Sequence, residues 1–285
     1  MKANNSILIF LSLIIVSGIS CKKESGGSGT KAVFSYVADG FIANFKDYST
    51  NPKEYLWDFG DSSATSTSPN PVHIYHSKGD FLATLTIKNG EETSSFTDTV
   101  YIAGPNIKID GDFTDWTYVD YTTVNEMDAG NSLLAIKTFA TAGSLNFYIE
   151  GTENMEFAVM DMFIDADNNS ATGHQFWMYP AASGSEYLLE GSPVDKWGSI
   201  YLHSGGDNDG WSWDTDADFE GNVVFSDLKN ADGKKIIEFS IKREALGTQQ
   251  KFVNFAIHEL DAGYSIVGSI PAGGNPESAF GKIKL

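Results

Sequence analysis

A short loop rich in oxygen-bearing side chains is the part of this sequence best suited to chemistry. Asp165, Asp167 and Asn169 lie at alternate positions, directly after the apolar residues 162–164. Calcium prefers about six to eight oxygen ligands, and alternate side chains in a tight loop can converge on one ion. The spacing therefore predicts a calcium site, with a turn held by Asx hydrogen bonds as the alternative. The loop is not an EF-hand, because Ser170 stands where that motif needs glycine.

Aromatic residues follow this loop and return later in the chain. Such rings can stack on the C–H faces of sugars, while neighbouring carboxylates and amides accept hydrogen bonds from hydroxyl groups. The candidate ligand contacts are Trp177, Tyr179, Trp197, Trp211 and Trp213. Trp211 is the first choice, because glycine and aspartate surround it in the acidic segment 205–218, which we expect to be a loop. The alternative for each ring is burial in the core, where we expect Trp116 and Phe163.

The common enzyme motifs H-E-x-x-H, G-x-S-x-G and G-x-x-x-x-G-K-[ST] are missing from the sequence. Glycoside hydrolysis needs two carboxyl groups about 5–10 Å apart across a cleft. Nothing singles out such a pair among the 38 acidic residues. We therefore expect binding without catalysis. A glycoside-active enzyme with an unrecognised site, or a structural adhesin without a sugar site, remains as the alternative.

Composition and charge narrow the class of partner. Of the 285 residues, 41% are hydrophobic, which is typical of a folded protein rather than a disordered one. The formal net charge is −19, and such a surface repels phosphate and sulfate groups. This argues against nucleic acid and polyanionic glycans, and it is compatible with neutral sugars, divalent cations or solubility alone. The single cysteine, Cys21, excludes an internal disulfide and a zinc site built from thiolates.

The N-terminus predicts a secretory signal peptide over residues 1–20. Its apolar core, residues 7–16, lies between Lys2 and a run of small residues, and is shorter than the ~20 residues that a transmembrane helix needs. Cys21 follows directly, so the segment resembles a bacterial lipoprotein signal. That resemblance implies cleavage before Cys21 and a lipid anchor on it. The alternative is an ordinary signal peptide with a chance cysteine after it.

Residues 21–30 are rich in glycine and serine and predict a flexible tether. Lys22 follows the cysteine, in the place of the aspartate that retains enteric lipoproteins at the inner membrane. The resemblance therefore implies an outer-membrane location, and we expect the surface-exposed side.

Residues 31–103 predict a small β-domain. Residues 81–88 alternate between apolar and polar, Asn89-Gly90 is a hairpin signal, and the partner strand is predicted at 93–102. The motifs W-D-F-G-D at 57–61, N-P-V-H-I-Y at 70–75 and G-D-F at 79–81 resemble a polycystic kidney disease (PKD) repeat. The resemblance implies a small β-sandwich that acts as a spacer, with direct binding of protein or glycan as the alternative. His73 is then a packed strand residue.

Residues 107–285 predict a larger antiparallel β-sandwich. Strands are expected at 133–138, 145–151, 160–164, 186–189, 199–203, 221–226, 235–241 and 252–258. A short helix is expected at 242–246, ended by Gly247. The fold class is therefore all-β, with a small N-terminal sandwich followed by a larger C-terminal one.

Three motifs in this second domain carry a resemblance. I-D-G-D-F-T-D-W at 109–116, F-I-D-A-D-N-N-S-A-T-G at 163–173 and E-F-S-I-K-R-E-A-L at 238–246 resemble family 9 carbohydrate-binding modules and the wider DOMON-like sandwiches. The resemblance implies calcium binding and a sugar held between tryptophans, with Asp110 and Asp112 as further candidate ligands. In haem-binding DOMON relatives a methionine and a histidine ligate iron. Here that minor alternative would involve His258 with Met155, Met160, Met162 or Met178.

Together these patterns predict a lipid-anchored protein of the cell outer membrane. It would bind polysaccharide or oligosaccharide through the second domain, with the PKD-like domain as the spacer. The same order of tether, spacer and binding domain implies an outer-membrane transporter or hydrolase as a partner. Nucleic acid is not an expected partner.

Overall fold

The computed structural model describes residues 29–126, 130–206 and 210–285. The signal peptide, Cys21 and nearly all of the tether lie outside the described residues. Within the described ranges, no helix is long and apolar enough to cross a bilayer.

The first domain is a sandwich of two three-stranded sheets, ordered β1-β2-β4 and β3-β5-β6. Its strands are β1 Phe34–Asp39, β2 Ile42–Asp47, β3 Glu54–Asp58, β4 Val72–Ile74, β5 Gly79–Asn89 and β6 Glu92–Ile102. β5 and β6 form the hairpin that Asn89-Gly90 predicts, with Asn89 paired to Glu92. One residue in two along β5 points inward, and Ala83, Leu85 and Ile87 are completely buried.

The residues of the sequence motifs pack in the core of this domain. The Trp57 ring is completely buried, and its indole N–H donates to the Ser68 carbonyl at 2.8 Å. His73 stacks on Phe59 with ring centroids 3.9 Å apart, and its Nε2 lies 2.7 Å from Asp61 Oδ2. Gly60 has φ +78, and a Cβ there would lie 2.5 Å from the Leu82 carbonyl oxygen. His73 is therefore a packed strand residue, as predicted.

The second domain is a larger antiparallel sandwich of two sheets. The first strands are β7 Tyr121–Val124, β8 Leu133–Ala140, β9 Ser144–Gly151, β10 Val159–Asp165, β11 Tyr187–Ser192, β12 Trp197–His203 and β13 Trp213–Asp218. The remaining ones are β14 Val223–Phe225, β15 Lys229–Ala231, β16 Lys234–Lys242, β17 Phe252–Leu260, β18 Ile266–Ile270 and β19 Gly281–Lys284. One sheet has the order β13-β12-β11-β10-β17-β18, with β19 also on β17. The other has the order β14-β16-β9-β8-β7, with β15 also on β16.

The core lies between these two sheets. Alternate residues of β10, Met160, Met162 and Ile164, meet Phe147, Phe239 and other apolar residues of the opposite sheet. Strict alternation puts the intervening residues of β10 on the outer face of the larger sheet. The fold class is therefore confirmed as all-β.

One buried carboxylate accepts hydrogen bonds from the segment 110–116, with which the chain enters this domain. Glu238 is completely buried, and its Oε1 accepts from the backbone amides of Asp110 (3.0 Å) and Gly111 (2.6 Å). Its Oε2 accepts from the indole of Trp116 at 2.8 Å, in the 3-10 helix Phe113–Trp116. Asp110 Oδ1 accepts from the Asp112 amide. This opening motif therefore builds a turn rather than an ion site.

The first domain packs against the outer face of the smaller sheet of the second domain, which is the sheet that contains β8. The Phe139 ring meets Phe41 at 5.9 Å between centroids, and Gly104, at φ +82, leaves room for the Phe139 ring. Lys78 Nζ donates to the Ala140 carbonyl at 2.8 Å. The outer face of the β8 sheet is therefore partly covered, whereas the outer face of the larger sheet points the other way.

All eight strands predicted in the second domain are present. Two expectations need correction. Residues 213–218, expected within an acidic loop, form the edge strand β13, because Trp213 pairs with His203 and Asp218 with Ser199. The short helix is a 3-10 turn, Arg243–Leu246, and Lys242 still belongs to β16.

Candidate functional site

The outer face of the larger sheet carries the residues that could do chemistry. Its centre is apolar: Phe163 of β10 pairs with Ala256 and Leu188, and Leu188 pairs with Tyr201. Polar groups lie on either side of this apolar row. The face therefore combines ring surfaces with hydrogen-bonding groups, as sugar-binding surfaces do.

The loop between β10 and β11 folds back over the apolar centre. Phe176 stacks on Phe163 at 4.7 Å between centroids, and the next ring, Trp177, lies 6.0 Å from Phe176. From the other side, Trp211 and Trp213 each approach Phe163 at 6.2 Å. The structure thus brings four of the five aromatic candidates, all but Trp197, around one cluster, because Tyr179 also packs on Phe176.

The accessibility of these rings differs sharply. Trp177 is 73% exposed, Trp211 58% and Trp197 49%, whereas Trp213 is partly buried beside His203. Exposed indoles on one sheet face are unusual, because tryptophan is normally largely buried. These rings are therefore available to a ligand.

The prediction that Tyr179 contacts a ligand needs correction. Its side chain is completely buried, and its hydroxyl donates to the Pro271 carbonyl at 2.7 Å and lies 3.2 Å from His258 Nε2. The ring packs against His258 and Phe280 beneath the β10–β11 loop, so neither the ring nor the hydroxyl is accessible to a ligand.

An acidic pair lies next to the apolar row. Asp161 of β10 faces Glu190 of β11, Glu190 faces Ser199 of β12, and Ser199 donates to Asp218 Oδ1 at 3.2 Å. Burial raises the pKa of Asp161 to about 7, and the neighbouring Glu190 carboxylate adds to the increase. Asp161 and Glu190 lie opposite each other on β10 and β11, so their side chains are neighbours on the outer face of the sheet.

A second acidic group forms where β10 ends. Carboxylate oxygens of Asp165, Asp167 and Glu186 all lie within 4.8 Å of one another. Burial, with Asp167 and Asp165 close by, raises the pKa of Glu186 to about 7, and burial also raises the pKa of Asp165. Glu186 Oε1 is buried and has no hydrogen-bond partner among the described residues. Three carboxylates that repel one another, one with a free buried oxygen, fit a hard divalent cation.

Glu186 was missed by sequence reasoning, and it comes from the neighbouring strand. Ile164 pairs with Tyr187, so the residues just beyond, Asp165 and Glu186, are brought side by side. Asn169, by contrast, serves the turn. Its backbone N–H donates to Asp167 Oδ1 at 2.8 Å, and its side-chain oxygen accepts from the Ala171 amide. An acid at the start of the next strand is the signal that could have identified Glu186.

The histidine and methionine candidates do not form an iron site with the core methionines. Met155, Met160 and Met162 lie in the core between the sheets. His258 lies on the opposite face of its strand, where it packs on Phe176 and Tyr179. Burial lowers the pKa of His258 to about 3, so it is neutral and acts as a packing residue beneath the aromatic cluster.

A cavity of about 720 Å³ lies at the other edge of the sandwich, beside Asn131, Asn154 and Asp261. The buried Glu259 at its base is fully engaged: its carboxylate accepts from Ser132 Oγ and from the amides of Glu156 and Phe157. None of the tryptophans lines this cavity. The aromatic face, not this cavity, is therefore the candidate site.

Comparison with known proteins gives a family match for the first domain. Residues 35–104 match the family model for the PKD domain. The PKD1 domain of the Vibrio cholerae metalloprotease PrtV is 26% identical, with a TM-score of 0.25, and the match covers 26% of this chain and 96% of that one. A stretch of 54 residues is 44% identical to collagenase ColQ1 of Bacillus cereus (strain Q1), and covers 18% of this chain but only 6% of that protein.

The chain is also similar to a solved family 9 carbohydrate-binding module from Caldicellulosiruptor kristjanssonii, determined in complex with cellotriose. The identity is 16% and the TM-score 0.36, and the match covers 63% of this chain and 89% of the module. The resemblance of the first domain to PKD domains is thus confirmed. The lipid anchor and the calcium site are separate matters and stay predictions.

Proposed function

We propose that the second domain binds neutral glycan without cleaving it, through the outer face of its larger sheet. The observation that carries this proposal is the exposure of Trp177 and Trp211 around a single aromatic cluster, on the sheet face that also carries Asp161 and Glu190. Sugar C–H faces would stack on the indoles, and hydroxyl groups would donate to acids such as Glu190. The acidic surface, at a net charge of −19, excludes sulfated and phosphorylated chains by repulsion.

The arrangement of the domains suits display of this face. The first domain packs on the Phe139 side of the sandwich, and the aromatic face points away from it. The PKD domain would then hold the binding face off the surface to which the chain is attached. This arrangement would suit a protein that captures polysaccharide for a neighbouring transporter or hydrolase.

The test is a glycan panel measured by calorimetry with the wild type, Trp177→Ala and Trp211→Ala. We expect the wild type to bind one or more neutral polysaccharides and each variant to lose about tenfold or more in affinity, because a few tryptophans typically contribute most of the free energy of binding. Tyr264→Ala is the matched control, since Tyr264 is 56% exposed but lies in the β17–β18 turn. Unchanged binding in both tryptophan variants would place the site elsewhere.

The same samples separate binding from catalysis. Reducing ends released from any bound polysaccharide would favour a glycoside-active enzyme over a binding protein. Binding of no glycan at all would favour a structural adhesin.

Calcium is the proposed brace of this site, held by Asp165, Asp167 and Glu186. A cation there would neutralise the three carboxylates and fix the loop that presents Trp177. Calorimetric titration with Ca²⁺ should show binding that Glu186→Gln abolishes, with Asp214→Asn, an exposed acid of β13, as the control. Identical calcium affinity in Glu186→Gln would contradict the assignment.

A lipid anchor at Cys21 is the proposed attachment to the outer membrane. Several acyl chains hold a protein stably in a bilayer, since each buried methylene contributes about 0.8 kcal/mol. Expressed with its signal peptide, the protein should enter the detergent phase in Triton X-114 partitioning, whereas Cys21→Ser should stay in the aqueous phase. Aqueous partitioning of both proteins would refute the anchor.

A further inference from the structure

A row of side chains along β12, on the outer face of the larger sheet, would not contact a ligand that binds only at Trp177 and Trp211. Trp197, Ser199, Tyr201 and His203 are alternate residues of β12 and share the outer face, because the intervening Ile200 lies in the core. From Trp197 to His203 the backbone extends about 20 Å, at about 3.3 Å per residue. We call these four residues the β12 stripe.

The two ends of the β12 stripe are aromatic. At one end His203 pairs with Trp213, which meets Trp211 with ring centroids 5.9 Å apart. At the other end Trp197 is 49% exposed, and it lies opposite Ser192 on the neighbouring strand. Tyr201, between them, packs against the Phe163 cluster. An indole left half in water at the far end of this line has a face free to stack on a ligand.

Polar acceptors flank the middle of the β12 stripe. Ser199 lies between Glu190 on one side and Asp218 on the other, and Asp218 is exposed. Asp161 lies beside Glu190 on the next strand, β10, and adds a second carboxyl group to this edge. These groups could accept hydrogen bonds from sugar hydroxyls on both edges of a chain lying along β12.

We propose that the β12 stripe is an extended glycan groove, in which a linear, neutral polysaccharide lies along β12 from Trp211 to Trp197 and contacts Glu190 and Asp218 on its edges. This inference rests on the proposed function and deepens it. The ligand is the interior of a chain several sugar units long, because a single sugar covers only a fraction of the stripe. Trp211 and Trp177 then form one end of the site, and Trp197 forms a distant subsite.

The test measures affinity against chain length. For a glycan that the wild type binds, the disaccharide, tetrasaccharide and hexasaccharide are titrated into wild type, Trp197→Ala, Glu190→Gln and Trp211→Ala. We expect wild-type affinity to rise with length. Trp197→Ala should lower hexasaccharide affinity about tenfold while leaving disaccharide affinity within about twofold. Trp211→Ala should weaken both, and Glu190→Gln should weaken the longer chains.

Tyr264→Ala serves again as the exposed aromatic control, and equal unfolding midpoints exclude misfolding of the variants. Affinity that is the same for all lengths, with no effect of Trp197→Ala, would overturn the groove. If Trp211→Ala still lowered glycan affinity in that experiment, the proposed function would stand without the groove. Failure of the wild type to bind any glycan would remove the proposed function and the groove together.

Discussion

The buried carboxylate of Glu238 accepts three hydrogen bonds from the segment that enters the second domain. A glutamine there keeps the shape but turns one acceptor into a donor, which would face a backbone amide or the Trp116 indole. An unsatisfied buried donor costs about 1–3 kcal/mol. Glu238→Gln should therefore lower the free energy of unfolding by roughly that amount, as measured by urea titration.

Glu277→Gln is the matched control, because Glu277 is exposed and the same chemical change there should leave stability within about 0.5 kcal/mol. Equal stability of the two variants would mean that the Glu238 hydrogen bonds contribute nothing.

The acids of the binding face predict a pH dependence. The pKa values of Asp161 and Glu186 are raised to about 7 in the folded protein, against about 4 in an unfolded chain. A raised pKa stabilises the fold below about pH 4, and this stabilisation is lost as the pH rises through about 7. In EDTA, the free energy of unfolding should therefore fall as the pH rises from about 4 to about 7. Added calcium should oppose the part of this decrease that Glu186 causes.

Urea titrations at several pH values would measure this slope in Asp161→Asn and Glu186→Gln. Each variant should show a shallower decrease than the wild type, and Asp214→Asn should keep the full slope. Unchanged slopes in both variants would show that neither carboxyl group titrates as described.

At the scale of elements, the close approach of β5 to the turn after β3 depends on Gly60. It has φ +78, and a Cβ would lie 2.5 Å from the Leu82 carbonyl oxygen. Gly90 has a similar φ of +62 but no atom within 4 Å of its Cβ position. Gly60→Ala should cost about 3 kcal/mol or more, and Gly90→Ala only about 1 kcal/mol, from backbone strain alone.

Hydrogen exchange of the β5 amides would measure both effects, since it reports on the first domain without a signal from the second. Equal acceleration of exchange in the two variants would show that the approach to Leu82 is unimportant.

The edge strand β13 shows how an element can look like a loop in sequence. Asp214, Asp216 and Asp218 suggest a solvated loop, and aspartate is depleted in strands. The strand forms nevertheless, because its backbone pairs with β12 and Ala217 packs on the core. Charges on an exposed edge also discourage pairing with another chain, so the acids fit this position.

At the scale of the whole molecule, the contact between the domains should fix the direction of the binding face. Phe139 meets Phe41 and the backbone of Gly104, and removal of a buried phenylalanine ring costs about 3–5 kcal/mol. Phe139→Ala should separate the domains without unfolding either. Limited proteolysis within residues 103–110 should then be about tenfold faster than in wild type.

Tyr48→Ala is the control, since Tyr48 is 63% exposed in the first domain. Unchanged cleavage in Phe139→Ala would mean that other contacts, such as that of Lys78 with the Ala140 carbonyl, suffice to hold the domains together.

The sequence by itself determined the features that depend on neighbouring residues. Alternation of apolar residues predicted the strands, Asn89-Gly90 predicted a hairpin, and the motif around Trp57 predicted a PKD-like core. Asp165 and Asp167 were predicted to lie close together because they are two residues apart in one short loop. These features are local, so short patterns suffice to identify them.

Only the tertiary structure decided which groups meet and which rings face water. Glu186 joins Asp165 because strand register brings them together, and register depends on the whole sheet. Tyr179 and Trp177 are two residues apart in sequence, yet one is buried and the other exposed, because the loop folds back over Phe163. Burial depends on what packs against a residue from elsewhere in the chain, and a local pattern carries no information about that distant partner.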